Sequence, residues 1–143
     1  VQASLMLCEA AADYKEQGRT LLDVLDSLYA AHGYFLDAQT SVVKKGEDGA
    51  AAIAALLENL RKNPPQEAGG VAVTAVEDYL APGLQAAGFP PSNMLRFLLA
   101  DGSWVAVRPS GTEPKCKYYY CVVGNGKADA EKKHAAMRAV FEK

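Results

Sequence analysis

The sequence predicts an α+β fold: a mostly antiparallel four-stranded sheet with two helices packed on one face, preceded by two further helices. Three observations carry this. Residues 34–143 interleave short β-branched and aromatic runs with two segments of helical periodicity. The dipeptide Asp101-Gly102 sits between two such runs and reads as a hairpin turn, which joins strands antiparallel. Hydrophobic residues make up 50% of the chain, enough to build a real core.

The elements follow in order. Residues 1–17 place Leu5, Leu7, Cys8, Ala11, Ala12 and Tyr14 near helical spacing, with Gly18 as the C-cap. Thr20 caps a second helix, with Asp23 three residues on as in a capping box, and its apolar run ends at Gly33. The texture changes at Tyr34, so the chain divides into 1–33 and 34–143. Residues 35–43 read as a strand, and Gly46-Glu47-Asp48-Gly49 as a turn. Residues 50–61 form a helix with Ile53, Leu56, Leu57 and Leu60 on one face, and Asn63-Pro64-Pro65 ends it. A short strand at 71–76 precedes a long irregular stretch marked by Pro82-Gly83 and Pro90-Pro91. Residues 94–99 and 103–107 are the arms of the Asp101-Gly102 hairpin. A strand at 117–123, rich in Tyr and Val, leads to a closing helix at 128–141 with Ala136, Met137 and Val140 on its apolar side.

The length, 143 residues, fits one domain or one domain plus a fragment. The net charge of −2 and pI near 5.7 argue against a surface built throughout for nucleic acid or anionic lipid, so anion recognition must be local. Three cysteines without CxxC spacing argue against a disulfide framework or structural zinc; they are expected to be buried free thiols in a reducing cytosol. Cys116 and Cys121 lie on opposite faces of their strand. His32 and His134 are too few and too distant for a metal site. His32 suits a helix end, and His134 is expected to be solvated beside Lys132 and Lys133. Trp104 is expected to anchor the core. No apolar run reaches the ~20 residues that a membrane span needs. The start, Val1-Gln2-Ala3-Ser4, has neither Met nor a basic region, so no signal peptide is expected, and the chain is expected to be cut from a longer protein.

The chemistry concentrates in Arg108-Pro109-Ser110-Gly111-Thr112-Glu113-Pro114-Lys115. A phosphate needs converging donors and positive charge. Gly111 permits a sharp turn and close approach of the backbone. Ser110 and Thr112 add hydroxyls, and the amides of Ser110, Gly111 and Thr112 are expected to converge as a nest. Pro109 and Pro114 stiffen both ends. Arg108 offers a planar fork for two phosphate oxygens. Lys115, Lys117 and Tyr119 share one face of the departing strand. Glu113 would repel a phosphate, so it is expected to turn away, either accepting backbone N–H groups or pairing with Arg108.

The eight residues together resemble the signature of the α-D-phosphohexomutase superfamily, which includes phosphoglucomutase, phosphomannomutase and phosphoglucosamine mutase. There the loop binds phosphate in the last of four domains. Gly18-Arg19-Thr20-Leu21-Leu22-Asp23-Val24-Leu25 followed by Gly33-Tyr34-Phe35 resembles the helical end of the third domain running into the fourth. Residues 34–43 and 63–65 look most like the longer bacterial phosphoglucomutases. The resemblance implies that Arg108, Ser110, Gly111, Thr112, Lys115 and, less strongly, Lys117 grip the phosphate that is not being transferred. It implies glucose 1-phosphate, glucose 6-phosphate or the mannose equivalents as ligands, and a cytoplasmic enzyme exchanging phosphate between the 1- and 6-positions. It also implies the N-terminal domains of the same chain as partners. The phosphoserine, the Mg2+-binding aspartates and the sugar-reading loop of the superfamily have no counterpart here. The fragment is therefore expected to bind no Mg2+ and to be inactive alone, with no nucleic acid and no membrane as partner.

Two other readings compete. Lys115, Lys117 and Tyr118–Tyr120 resemble a basic aromatic strand for single-stranded nucleic acid. Alternatively, helices 1–33 dock a partner protein.

Overall fold

The computed structural model describes residues 1–46 and 48–142. The expected turn at 46–49 and the end of the second domain include Glu47 and Lys143, which lie outside the described residues. The chain separates into two compact units, Val1–Tyr34 and a second from Phe35 onward.

The first unit holds α1 (Gln2–Glu16) and α2 (Leu21–His32). Gly18 follows α1 at φ +73°, a left-handed conformation that favours glycine, and lets the chain reverse. Thr20 and Asp23 close a capping box: the Asp23 amide donates to Thr20 Oγ1 at 3.2 Å, and the Thr20 amide donates to the Asp23 carboxylate at 2.7 Å. Neither helix buries a residue within the unit, and Leu5, Met6, Leu7, Leu22 and Leu28 are exposed. Cys8 is exposed too, contrary to the expectation of a buried thiol.

The second unit is α+β, built on an antiparallel sheet with several helices. Its sheet has six strands, not four. They are β1 (Tyr34–Val43), β2 (Glu67–Ala68), β3 (Val71–Asp78), β4 (Leu95–Leu99), β5 (Trp104–Pro109) and β6 (Lys115–Gly124), in the order β1-β6-β5-β4-β3-β2. Every strand-like segment of the sequence joins the sheet. The sixth strand, β2, is too short to show a period-two pattern. Gly69 and Gly70, at φ +64° and +79°, turn it onto β3, as a two-residue hairpin requires. The stretch expected to be irregular contains a short helix, α4 (Pro82–Ala86), started by a proline at its first position.

Strand alternation divides this sheet into two faces. Leu95, Phe97, Val105, Val107, Tyr118, Tyr120 and Val122 are buried, and the register aligns Phe97 with Val105 and Val105 with Tyr120. Helix α3 (Gly49–Lys62) supplies Ile53, Leu57 and Leu60 to the core, and α5 (Lys127–Phe141) supplies Ala130, Met137 and Phe141. The Phe97 and Phe141 rings lie 4.9 Å apart. On the other face Arg96, Leu98, Trp104, Lys117, Tyr119 and Cys121 are only half-buried. Trp104 is therefore not a core anchor. Both residue sets of β5 are apolar, and pairing with β6 sends Val105 and Val107 inward and Trp104 outward.

The C-terminal end is tied down by one carboxylate. Glu142 accepts hydrogen bonds from Tyr120 Oη at 2.9 Å, from Arg138 at 3.0 Å and from Thr40 Oγ1. His134 is not solvated as expected: its ring packs edge-on against Tyr120 at 4.8 Å, and burial lowers its pKa. Burial alone would raise the Glu142 pKa, but the bonds from Arg138, Thr40 and Tyr120 together outweigh it and hold it below its ordinary value of 4.5. A carboxyl depressed on folding stabilises the fold above its unfolded pKa, and that stabilisation is lost as pH falls through the lower folded value. Glu142→Gln is thus expected to cost about 1–2 kcal/mol at pH 7 and progressively less as the pH falls below 4.5. Urea unfolding at pH 7 and at a pH below 4.5 checks this; an equal loss at both would refute it.

Candidate functional site

The loop 110–114 connects β5 to β6, and its ends are pinned by backbone bonds. The Ser110 amide donates to the Lys115 carbonyl at 2.7 Å, and the Lys44 amide donates to the Pro114 carbonyl at 2.9 Å. Antiparallel register places Arg108 directly opposite Lys117, on the face away from α3 and α5. There Arg108, Pro109, Ser110, Gly111, Lys117 and Tyr119 line a hollow of about 130 Å³.

The charges around this hollow are unevenly matched. The Glu113 carboxylate pairs with Lys115 Nζ at 2.5 Å, and this hydrogen bond lowers the Glu113 pKa. The expected partners, Arg108 or backbone N–H groups, are thus replaced by Lys115. Geometry explains the exchange: Lys115 follows two residues on, whereas Arg108 leaves β5 on the far side of the turn. Among the described residues neither Arg108 nor Lys117 has an ion-pair partner. Two cations, neither in an ion pair among the described residues, therefore face one small hollow whose lining holds no carboxylate, although Glu113 lies near enough for its charge to feel Lys117.

Of the six residues singled out by sequence, the fold brings Arg108, Ser110, Gly111 and Lys117 around that hollow. Thr112 and Lys115 do not line it. The expected amide nest is only partly assembled. The Ser110 amide is committed to Lys115, and the Thr112 amide faces Ser110 Oγ at 3.4 Å. No protein acceptor for the Gly111 amide occurs among the described residues. Gly111 itself has no positive φ, and a Cβ there would meet nothing within 4 Å. Its own chain gives no steric reason for glycine at this position.

A second hollow, of about 370 Å³, lies beside the same loop and is lined in part by Ile53, Ser92, Asn93, Arg108 and Glu113. Ser92 and Asn93 were not legible in sequence, because they fall in the stretch read as irregular. Arg61 holds Asn93 in place. Its guanidinium donates to Asp78 at 2.9 Å, to Glu58 at 2.9 Å and to Asn93. Burial would lower the Arg61 pKa, but the bonds to Asp78 and Glu58 prevail and raise it. The rival basic aromatic platform does not form: Tyr118 and Tyr120 are buried on the face opposite Lys117 and Tyr119. No group of His, Cys, Asp and Glu suited to a metal ion occurs among the described residues, and no described helix is long and apolar enough to cross a membrane.

Comparison with known proteins adds the decisive observation. Residues 41–139 match the family described as phosphoglucomutase/phosphomannomutase, C-terminal domain. The chain belongs to this family. It is 37% identical over 127 residues to a phosphoglucomutase of Staphylococcus aureus (strain bovine RF122 / ET3-1), covering 83% of this chain and 23% of the relative. It is 34% identical over 145 residues to a phosphoglucomutase of S. aureus (strain MSSA476), covering 96% of this chain and 26% of the relative. The crystal structure of the exocytosis-sensitive phosphoprotein pp63/parafusin, a phosphoglucomutase from Paramecium in its open form, superimposes with a TM-score of 0.54 at 17% identity. That match covers 90% of this chain and 23% of the other, and it shows the fold alone. This phosphohexomutase C-terminal domain thus spans about a quarter of the length of the relatives it matches.

Proposed function

We propose that this phosphohexomutase domain grips the non-transferred phosphate of a hexose phosphate while a longer parent enzyme interconverts the 1- and 6-phosphates. The observation that carries the reading is the small hollow where Arg108 and Lys117, neither in an ion pair among the described residues, meet the Ser110 hydroxyl and the exposed backbone of Gly111. The two cations offset the dianion's charge, and Arg108 supplies a fork for two of its oxygens. Lys115 and Thr112 join when the ligand draws Lys115 away from Glu113. The work done is positioning: one end of the sugar is held while the other meets the reacting phosphoryl group. Glucose 1-phosphate, glucose 6-phosphate or the mannose equivalents are the ligand class.

In this reading the phosphoryl-carrying residue and the Mg2+ of the parent lie outside this chain, which spans about a quarter of the length of its phosphoglucomutase relatives. This fragment is accordingly inactive alone. Residues 1–33 are the helical end of the domain before it, which accounts for apolar helices that bury nothing within their unit. A cytoplasmic setting suits the free thiols.

A titration of the ¹⁵N-labelled chain tests the reading. Both glucose phosphates should move the amides of Ser110, Gly111 and Thr112, and free glucose should not. Silence of those amides at millimolar sugar phosphate would sink it. Gly111 offers a sharper check. Gly111→Ala is expected to change stability by less than about 0.5 kcal/mol, since its Cβ meets open space. It should nonetheless weaken phosphate binding roughly tenfold, because the methyl group stands where the ligand approaches the backbone. Calorimetric unfolding and phosphate titration of the same variant separate the two effects.

A further inference from the structure

The cations around the loop 110–114 are not equivalent. Arg108 and Lys117 line the small hollow and join no ion pair among the described residues. Lys115 stands on the same face of β6 as Lys117, one two-residue step of about 6.8 Å nearer the turn. It does not line the hollow, because its ammonium is engaged by Glu113.

The backbone around this pair is fixed. The Lys115 carbonyl accepts from the Ser110 amide at 2.7 Å, and the Lys115 amide donates to the Glu113 carbonyl at 2.7 Å. What can move is the flexible aliphatic stem that carries the ammonium. The side chain of Glu113 is 59% exposed and that of Lys115 24%. Water screens such a pair, so its hold is weak and easily exchanged. The carboxyl of Glu113 is held below its ordinary value by the hydrogen bond from Lys115, then by the charge of Lys115, and also by that of Lys117. Glu113 is therefore an anion at neutral pH, drawing on the same cations that a phosphate would use.

We propose that Glu113 is a built-in competitor of the phosphate: its carboxylate occupies Lys115 while the hollow is empty, yields it when phosphate enters, and takes it back on release. The inference rests on the phosphate-gripping reading above and adds the regulation of that site. One anion replaces another on the same ammonium, so Lys115 keeps a counter-charge throughout. The net affinity for phosphate is lowered by the worth of an exposed ion pair, about two- to fivefold. A grip tempered in this way lets go of its ligand more readily than three free cations would.

A double-mutant cycle tests the competition. The unaltered chain, Glu113→Gln, Lys115→Met and the double variant are ¹⁵N-labelled and titrated with inorganic phosphate, with the Ser110 and Gly111 amides as reporters. Unmoved amides elsewhere in the second unit confirm that each variant is folded. Glu113→Gln should tighten phosphate binding about two- to fivefold. In the Lys115→Met background the same substitution should gain less, because no ammonium remains to compete for. A gain as large or larger there would mean that Glu113 merely repels the ligand and that Lys115 shields it. That result overturns the competition, as does a Glu113→Gln chain that binds no tighter than the unaltered one; either leaves the phosphate grip standing. If the unaltered chain binds no phosphate, both fall.

Discussion

Gly49→Ala is expected to lower the thermal midpoint of the second unit by roughly 10 °C. An added Cβ at Gly49 would stand 2.1 Å from the Lys44 carbonyl oxygen and 3.0 Å from Pro114 Cβ. The first neighbour is backbone, so no side-chain rotation relieves the overlap. Forcing an atom into a packed site costs about 1–3 kcal/mol, and here the upper end applies because the chain itself must move. The position also matters for function. Lys44 is the residue whose amide holds the Pro114 carbonyl, so displacing it loosens the anchor at the end of the loop 110–114. The variant should therefore lose loop order as well as stability, seen as shifted or broadened amides at 110–115. A midpoint within about 2 °C of the unaltered chain, with those amides unmoved, would show that the contact has slack. Gly111 is the counterpart: one glycine is required by its own chain, while a Cβ on the other would meet open space.

Arg108→Ala should weaken glucose 6-phosphate binding about ten- to a hundredfold. A hydrogen bond to a charged group contributes about 1.5–3 kcal/mol, and Arg108 brings a fork rather than a single donor. Stability should hardly change, since the side chain is exposed and has no ion-pair partner among the described residues. Arg108→Lys keeps the charge and loses the planar fork, so it should fall between the two. Isothermal titration with the three chains decides the matter. A change of less than twofold in the alanine variant would remove Arg108 from the grip.

How much of this was legible in the sequence depends on how local the information is. The capping box at Thr20 and Asp23 lies within four residues, and the sequence specifies it completely. The motif at residues 108–115 is equally local: eight consecutive residues that end one strand, turn, and begin the next. The strand at 115–124 alternates so regularly that the sequence already separated Tyr118 and Tyr120 from Lys117 and Tyr119. Trp104 went the other way because Trp104, Val105, Ala106 and Val107 are all apolar. A period-two reading is silent when both faces are apolar, and only pairing with β6 decides the orientation. The partner of Glu113 and the bond from Arg61 to Asn93 were likewise out of reach. They depend on how side chains meet across a turn, or across 32 residues of chain.

The cross-strand position of Arg108 and Lys117 has a consequence of its own. Like charges directly opposite on neighbouring strands repel each other, so the hairpin carries an internal tension at its mouth. An anion between them turns that repulsion into two attractions at once. The same substitution of charge for solvent that fastens the ligand also fastens the two strands to each other. In the proposed phosphate-gripping reading the ligand would act as a removable rivet in the sheet, and salt, which screens exposed charges, would relax the tension and weaken the rivet together.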